Sequence, residues 1–229
     1  MWVELSPKEF AKTIDHTILR PDAKRSEVEE ACRAAVKYGF AACVVPPCYV
    51  KVASKLLKGS GVKPCTVVGF PLGYMSLEAK VGELRRALED GAEEVDVVMN
   101  ISAFKSGEHR YVKEEIEKLV KVCHEFNALI KVIIETNLLN DDEKIEAAKL
   151  VAECRADYVK TNTGFLGRGV TIHDVVLIRR VVAGKALIKA AGGIRFFEDA
   201  LALIKAGASR IGTSSGVNIF LGYLARQRQ

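Results

Sequence analysis

The chain has 229 residues, of which 49% are hydrophobic, 28% charged and 7% aromatic, and a formal net charge of +5. That length carries one substantial core with little room for a second ordinary domain, so residues 1–229 are expected to form a single unit. The balance excludes a disordered or fibrous chain, and Lys and Arg interleaved with Asp and Glu, as in Lys113–Lys121, exclude a nucleic-acid footprint while remaining compatible with an anionic metabolite.

Along the chain, short runs rich in Val and Ile alternate with amphipathic stretches of helical length. The first run covers Thr13–Thr17, and its helix is expected from Ser26, with Glu29 completing a capping box, to Gly39. The second run, Phe40–Val45, is halted by Pro46-Pro47. Lys63–Val68 is the third, followed by a turn-like Gly69-Phe-Pro-Leu-Gly73 and a helix from Ser76 to about Asp90, with Gly91 as its left-handed stop. Glu94–Asn100 and Ile130–Glu135 are the fourth and fifth; after the latter, Asn140 caps a helix with Glu143 three residues on. Tyr158–Thr161, Ala186–Ala190 and Ser209–Gly212 complete the series, Gly207 ending the helix between the last two.

Eight such units predict a parallel sheet covered by helices and closed into a single (β/α)8 TIM barrel, an α/β fold with a short N-terminal extension. An open doubly wound sheet would carry a glycine-rich first turn, and Asp15-His-Thr-Ile-Leu-Arg-Pro21 has no glycine. Six cysteines without paired short spacing are expected as reduced thiols. The opening Met-Trp-Val-Glu-Leu-Ser-Pro-Lys-Glu lacks a secretory apolar core, and no apolar run reaches the roughly 20 residues of a membrane span, so a cytoplasmic protein with no membrane partner is expected.

In such a barrel the chemistry sits at the carboxyl ends of the strands. Lys63 and Lys131 open their runs and are read as solvated or ion-paired residues of the opposite face, whereas Lys160 and Lys189 close theirs. If both closing lysines point inward, desolvation and mutual repulsion favour a free amine on one of them, and a free amine forms imines with carbonyls. From spacing alone either could instead reach solvent or pair with a carboxylate. Asp96, within Glu-Val-Asp-Val-Val-Met-Asn100, needs a cationic or hydrogen-bonding partner; alternation puts Asp96, Val98 and Asn100 on the inner side, as a structural ion pair or a proton relay. Gly192-Gly193-Ile-Arg195 and Gly212-Thr-Ser214-Ser215 follow the seventh and eighth runs, where backbone amides and hydroxyls bind phosphate in barrels of this type.

Val-Lys160-Thr-Asn-Thr-Gly-Phe165, Ile-Lys189-Ala-Ala-Gly-Gly-Ile-Arg195, Glu-Val-Asp96-Val-Val-Met-Asn100 and Gly212-Thr-Ser-Ser215 resemble, in this order, the motifs of the deoxyribose-phosphate aldolase family. With Ile-Asp15-His-Thr-Ile-Leu-Arg-Pro21 and Gly69-Phe-Pro-Leu-Gly73, the likeness covers roughly residues 10–220. The resemblance implies a class I (Schiff-base) aldolase, a carbon-carbon lyase that reversibly cleaves 2-deoxy-D-ribose 5-phosphate into D-glyceraldehyde 3-phosphate and acetaldehyde without metal or organic cofactor, in a homo-oligomer (dimer or tetramer). It makes Lys160 the Schiff-base lysine, Lys189 the neighbour that lowers its pKa and helps shuttle protons, and Asp96 the relay carboxylate acting through Lys189 and water. Gly164, Gly192, Gly193, Gly212, Ser214, Ser215 and Arg195 would hold the phosphorylated aldehyde, and Asp15, Thr17 and Cys43 would bound the reacting carbonyls, with core packing the equal alternative for Cys43. His16 is read as a structural hydrogen-bonding residue, with a general base as the alternative. Asn162 stands where the family commonly has Ser, and the chain ends in Ala-Arg-Gln-Arg-Gln without a terminal tyrosine, Tyr223 being too early to stand in for it. Other Schiff-base aldolases with a larger donor, a cofactor-free sugar-phosphate isomerase and a noncatalytic sugar-phosphate-binding barrel are the competing readings.

Overall fold

A computed structural model describes residues 5–227. The first four residues of the opening stretch and the final Arg228-Gln229 lie outside the described residues, and so do the parts of the leader and terminal-tyrosine readings that fall on them. In chain order the elements are α1 (Pro7–Ala11), β1 (Ile14–Thr17), α2 (Arg25–Tyr38), β2 (Ala42–Val44), α3 (Val50–Leu57), β3 (Lys63–Val68), α4 (Leu77–Glu89), β4 (Glu94–Val98), α5 (Ile101–Lys105), α6 (His109–Glu125), β5 (Leu129–Ile133), α7 (Asp141–Glu153), β6 (Tyr158–Lys160), α8 (Ile172–Val182), β7 (Leu187–Ala191), α9 (Phe197–Ala206), β8 (Arg210–Thr213) and α10 (Gly216–Arg226). The strands pair in sequence order, all in parallel, and β1 closes on β8. The expected (β/α)8 barrel is borne out.

Local chemistry sets most boundaries. Ser76 caps α4 by accepting from the Ala79 amide at 3.3 Å, and Asn140 and Glu143 form a reciprocal capping box at the start of α7. Gly39, at φ 69°, provides the left-handed turn that ends α2. That helix begins before the expected Ser26. Glu27, not Glu29, reaches back to the Lys24 amide at 2.8 Å, and Arg20 holds its carboxylate at 2.6 Å; Lys24 has no acceptor to return the bond, so half of a box forms, two residues earlier than expected. The fourth run also ends sooner than expected. Asn100 lies beyond β4 and turns its side-chain oxygen to the Ala103 amide at 3.0 Å, capping α5 rather than facing the lumen.

Period-two alternation divides the strand side chains into two populations. Outward residues such as Ile14, Val95 and Ile130 join Leu84, Ile116 and Leu119 of the helices in the main apolar layer. The lumen is two-sided. Ala42, Val44, Cys65 and Val67 make a small apolar cluster against which Leu19 and Phe70 pack. Across from it stand Asp15, Glu94, Asp96, Lys131, Lys160, Lys189 and Arg210, tied together by ion pairs.

The extension closes the base. Phe10 of α1 stacks on Tyr223 of α10 at 4.3 Å, and the Tyr223 hydroxyl donates to the Leu5 carbonyl. Tyr223 is therefore committed to the end of the barrel opposite the strand termini that carry the site. Among the described residues no helix is long and apolar enough to cross a membrane.

Candidate active site

Lys160 ends β6 and lies in register with Lys189 of β7, so two cations project into one lumen from adjacent strands. Both donate to the same oxygen, Asp96 Oδ2, at 2.8 and 2.7 Å, and they are 3% and 1% exposed. Burial lowers the Lys160 pKa and the Lys189 charge adds to the effect, against the pull of Asp96. Burial also works against the Lys189 charge, but Asp15 and Asp96 outweigh it and hold this ammonium above its ordinary range. The two lysines are thus driven apart: one is inclined to give up its proton and the other to keep it. Asp96 is buried too, yet Lys131, Lys160 and Lys189 keep its carboxyl well below the usual range.

Lys131 overturns the expectation of a residue on the opposite face. It sits mid-strand in β5, in register with Asp96, fully buried, with Nζ 2.7 Å from Glu94 and 3.0 Å from Asp96. A lysine at the head of an apolar run reads as a strand start; two inward carboxylates on β4 are what draw this one in. Lys63 does stay at the surface, paired with Glu93.

Asp15 also faces the lumen but lies below the mouth, bonded to Lys189 at 2.6 Å and to Arg210 at 2.5 Å. It touches the cations and is not on the wall of the cavity above them. For Cys43 the packing alternative holds and the carbonyl-bounding one does not: alternation turns it outward, where its sulfur lies 3.9 Å from that of Cys32 on α2, so it packs between strand and helix. His16 packs rather than hydrogen-bonds, its ring 5.7 Å from that of Phe40 and its buried Nδ1 without a partner.

Above the lumen opens a cavity of about 780 Å³, lined by Thr17, Lys160, Gly164, Gly192, Gly193, Arg195, Gly212 and Ser214 among the expected residues. Asp96 and Lys189 lie beneath it. Ser215 is not on its wall; its amide donates to Thr213 Oγ1 at 2.9 Å in the turn that starts α10. Arg168, Gly169, Thr163 and Thr213 line the cavity without having been singled out. Arg168 carries a signal in retrospect, because it stands in Gly167-Arg168-Gly169 a few residues beyond the Lys160 motif.

The glycine loops pack backbone to backbone. A Cβ on Gly169 would stand 2.5 Å from the Gly192 carbonyl, and the Val170 amide donates to that carbonyl at 3.1 Å, so the loop after β6 docks on the loop after β7. Glu135, buried with φ 53°, accepts from the Thr163 amide at 2.9 Å and steadies the same loop from the segment after β5. Asn162 takes the Thr136 hydroxyl and the Asn137 side-chain amide on Oδ1, at 3.1 and 3.2 Å, so it serves loop packing and is not itself on the cavity wall.

Residues 10–222 match the family model described as DeoC/LacD family aldolase. The chain is 53% identical over 216 residues to a deoxyribose-phosphate aldolase of Thermococcus gammatolerans, covering 93% of this chain and 96% of that one. A deoxyribose-phosphate aldolase of Caldicellulosiruptor saccharolyticus is 51% identical over 216 residues, covering 94% and 98%. Among solved structures, the tetrameric deoxyribose phosphate aldolase of Aeropyrum pernix superposes with a TM-score of 0.87 at 36% identity, covering 96% of this chain and 93% of that one.

Proposed function

The chain belongs to the DeoC/LacD aldolase family, and from that premise we propose that it reversibly cleaves 2-deoxy-D-ribose 5-phosphate into D-glyceraldehyde 3-phosphate and acetaldehyde through an imine on Lys160. The observation that carries the reading is the buried pair of lysines sharing Asp96 Oδ2, of which Lys160 alone lines the cavity.

In cleavage, the Lys160 amine condenses with the substrate's C1 aldehyde and water leaves. The C3 hydroxyl gives up its proton as the C2–C3 bond breaks, and the bonding electrons pass to the imine nitrogen, leaving an enamine on Lys160 and free glyceraldehyde 3-phosphate. Protonation at C2 and addition of water then release acetaldehyde and restore the amine. Asp96 and Lys189, hydrogen-bonded to each other at 2.7 Å, are the groups that exchange these protons with water in the cavity. The imine is itself the electron sink, so neither metal nor organic cofactor enters the scheme.

The two sides of the lumen support the choice of products. Beside Lys160 stand Phe70, its ring 5.9 Å from Nζ, and the apolar cluster with Leu19, which suits a donor as small and bare as acetaldehyde. On the other side, Gly164, Gly192, Gly193, Gly212 and Ser214, with Arg168 and Arg195, suit the phosphate of the acceptor. Thr17 lines the cavity, as a residue that bounds the carbonyls would. The same reading takes residues 1–229 as one catalytic unit, acting in the cytoplasm as a dimer or tetramer, in line with the tetramer of the Aeropyrum relative.

Acetaldehyde with borohydride tests the proposal. A two-carbon adduct is expected at Lys160, absent in Lys160→Leu, with larger ketones leaving the protein unmodified. An adduct mapping to another lysine overturns the assignment.

A further inference from the structure

At the closed end of the lumen, Glu94 and Arg210 contribute nothing to the cavity wall, yet both are tied into the machinery above them. Arg210 forks, with Nη1 2.5 Å from Asp15 and Nη2 3.0 Å from Glu94. From this pair two arms rise. One runs from Asp15 to Lys189 at 2.6 Å and on to Asp96 at 2.7 Å; the other runs from Glu94 to Lys131 at 2.7 Å and on to Asp96 at 3.0 Å. The arms meet at Asp96 and close a ring of strictly alternating sign: Arg210, Asp15, Lys189, Asp96, Lys131, Glu94.

With all six charged, the ring is neutral. Lys160 hangs from it as a seventh member through Asp96 Oδ2 and, among the described residues of the lumen, is the cation that the ring leaves unmatched. The remaining polar neighbours stand outside the ring. Cys65, from β3, has its thiol pushed up by burial; Tyr158, from β6, likewise stays a phenol, pushed up by burial. Glu135, from the segment after β5, has its carboxyl raised by burial against the opposing pull of the Lys160 charge; the Thr163 amide occupies one of its oxygens, and among the described residues the ion pair of Lys160 is with Asp96 and not with Glu135. β2 offers only Ala42 and Val44.

We infer that Arg210 and Glu94 are positioning residues of the aldolase site: they close the neutral ring that makes Lys160 the surplus cation, and so designate which of the buried lysines rests as a free amine. The inference rests on the proposed imine chemistry for its purpose, but its test does not need turnover. Removing Arg210 gives the ring one net negative charge and Lys160 a reason to keep its proton. Removing Glu94 does the reverse. Removing both restores neutrality although two native side chains are gone.

Competitive labelling with acetic anhydride, read by mass spectrometry at Lys160 against a free-amine standard, reports the fraction of free amine at each pH. Relative to the parent, Arg210→Met is expected to shift the Lys160 labelling curve about one unit to higher pH, equivalent to about a tenfold smaller amine fraction at neutral pH. Glu94→Gln is expected to shift it lower, Arg210→Lys to leave it in place, and Arg210→Met/Glu94→Gln to return it to the parental position. Curves that stay put in both single variants, or a double variant further displaced than either, overturn the inference. If Arg210→Met does not fold, the direction of the Glu94→Gln shift decides. Parallel trapping with acetaldehyde and borohydride reports separately on the aldolase reading, which fails if the parent labels normally yet forms no adduct.

Discussion

Gly212 leaves the space that Lys189 occupies: a Cβ at this position would stand 2.9 Å from Lys189 Cε and 3.0 Å from the Ala191 Cβ. A glycine read from sequence as a phosphate-loop residue therefore also governs the neighbouring strand's lysine. Gly212→Ala is expected to displace the Lys189 ammonium and lower kcat about tenfold or more, since sub-ångström to ångström misplacement of a reacting group is costly. Steady-state kinetics with 2-deoxyribose 5-phosphate check this. A change confined to KM would mean that the glycine serves the phosphate alone.

Lys160 and Lys189 should separate in their pH behaviour. Activity requires the Lys160 amine, so kcat/KM rises with pH through its depressed pKa. Lys189→Leu removes a like charge, which makes the Lys160 ammonium easier to keep; the rising limb is expected to move to higher pH, with a strong loss at neutral pH. A slower enzyme with an unmoved limb would assign Lys189 to proton transfer and not to the charge of its neighbour.

Two lysines that look alike in sequence should differ in stability. Lys131→Met strips a buried cation from Glu94 and Asp96 and is expected to cost about 3–5 kcal/mol. Lys63→Met breaks a pair whose side chains are 49% and 51% exposed and should cost less than about 1 kcal/mol. Urea denaturation of the two variants makes the comparison. Equal losses would contradict the placement of Lys131.

That contrast also shows where the sequence could be read and where it could not. β3 was legible to the residue, because Lys63 and the Gly69 turn bracket an uninterrupted apolar run. Lys131 was not, because a hydropathy pattern records a cation at the head of a run without recording what stands across the sheet; only the register Asp96 to Lys131 reveals that it is central. Thr17 and Cys43 failed or held on parity, since a strand's facing inverts with a one-residue change of phase. Lys160 and the glycine loops were legible because they close or follow a strand, whereas Asp96 and Lys189, each in the middle of its strand, were legible because a charge within an apolar run needs a partner. Asp15 and Arg210, at opposite ends of the chain, meet only when β1 closes on β8.

The arginines at the mouth should act on the phosphate and little else. Arg168→Ala/Arg195→Ala is expected to raise KM for 2-deoxyribose 5-phosphate tenfold or more, each charged hydrogen bond being worth about 1.5–3 kcal/mol, while kcat/KM for unphosphorylated 2-deoxyribose changes little. Equal losses on both substrates would remove the phosphate from this side of the cavity.

His16 should weaken the fold in acid. Burial lowers its pKa to about 4, so the neutral ring is favoured in the folded protein. The unfolded chain, near 6.5, takes up the proton first. This contribution is complete above that value and is lost as pH falls through about 4, a total of roughly 3 kcal/mol. His16→Gln is expected to flatten the slope of unfolding free energy in this window, measured by denaturant titration from neutral pH downward. A parallel slope in the variant would place the acid sensitivity elsewhere.

The two-sided lumen has a thermal consequence. Hydration of charged groups becomes less favourable on heating, so the cost of keeping Asp96, Glu94 and their cations out of water falls as temperature rises, while the gain from apolar burial levels off. The ionic side of the barrel thus loses less of its cohesion on warming than the hydrocarbon side formed by Ala42, Val44 and Val67. Heat should loosen β2 and β3 before the strands that carry the lysines.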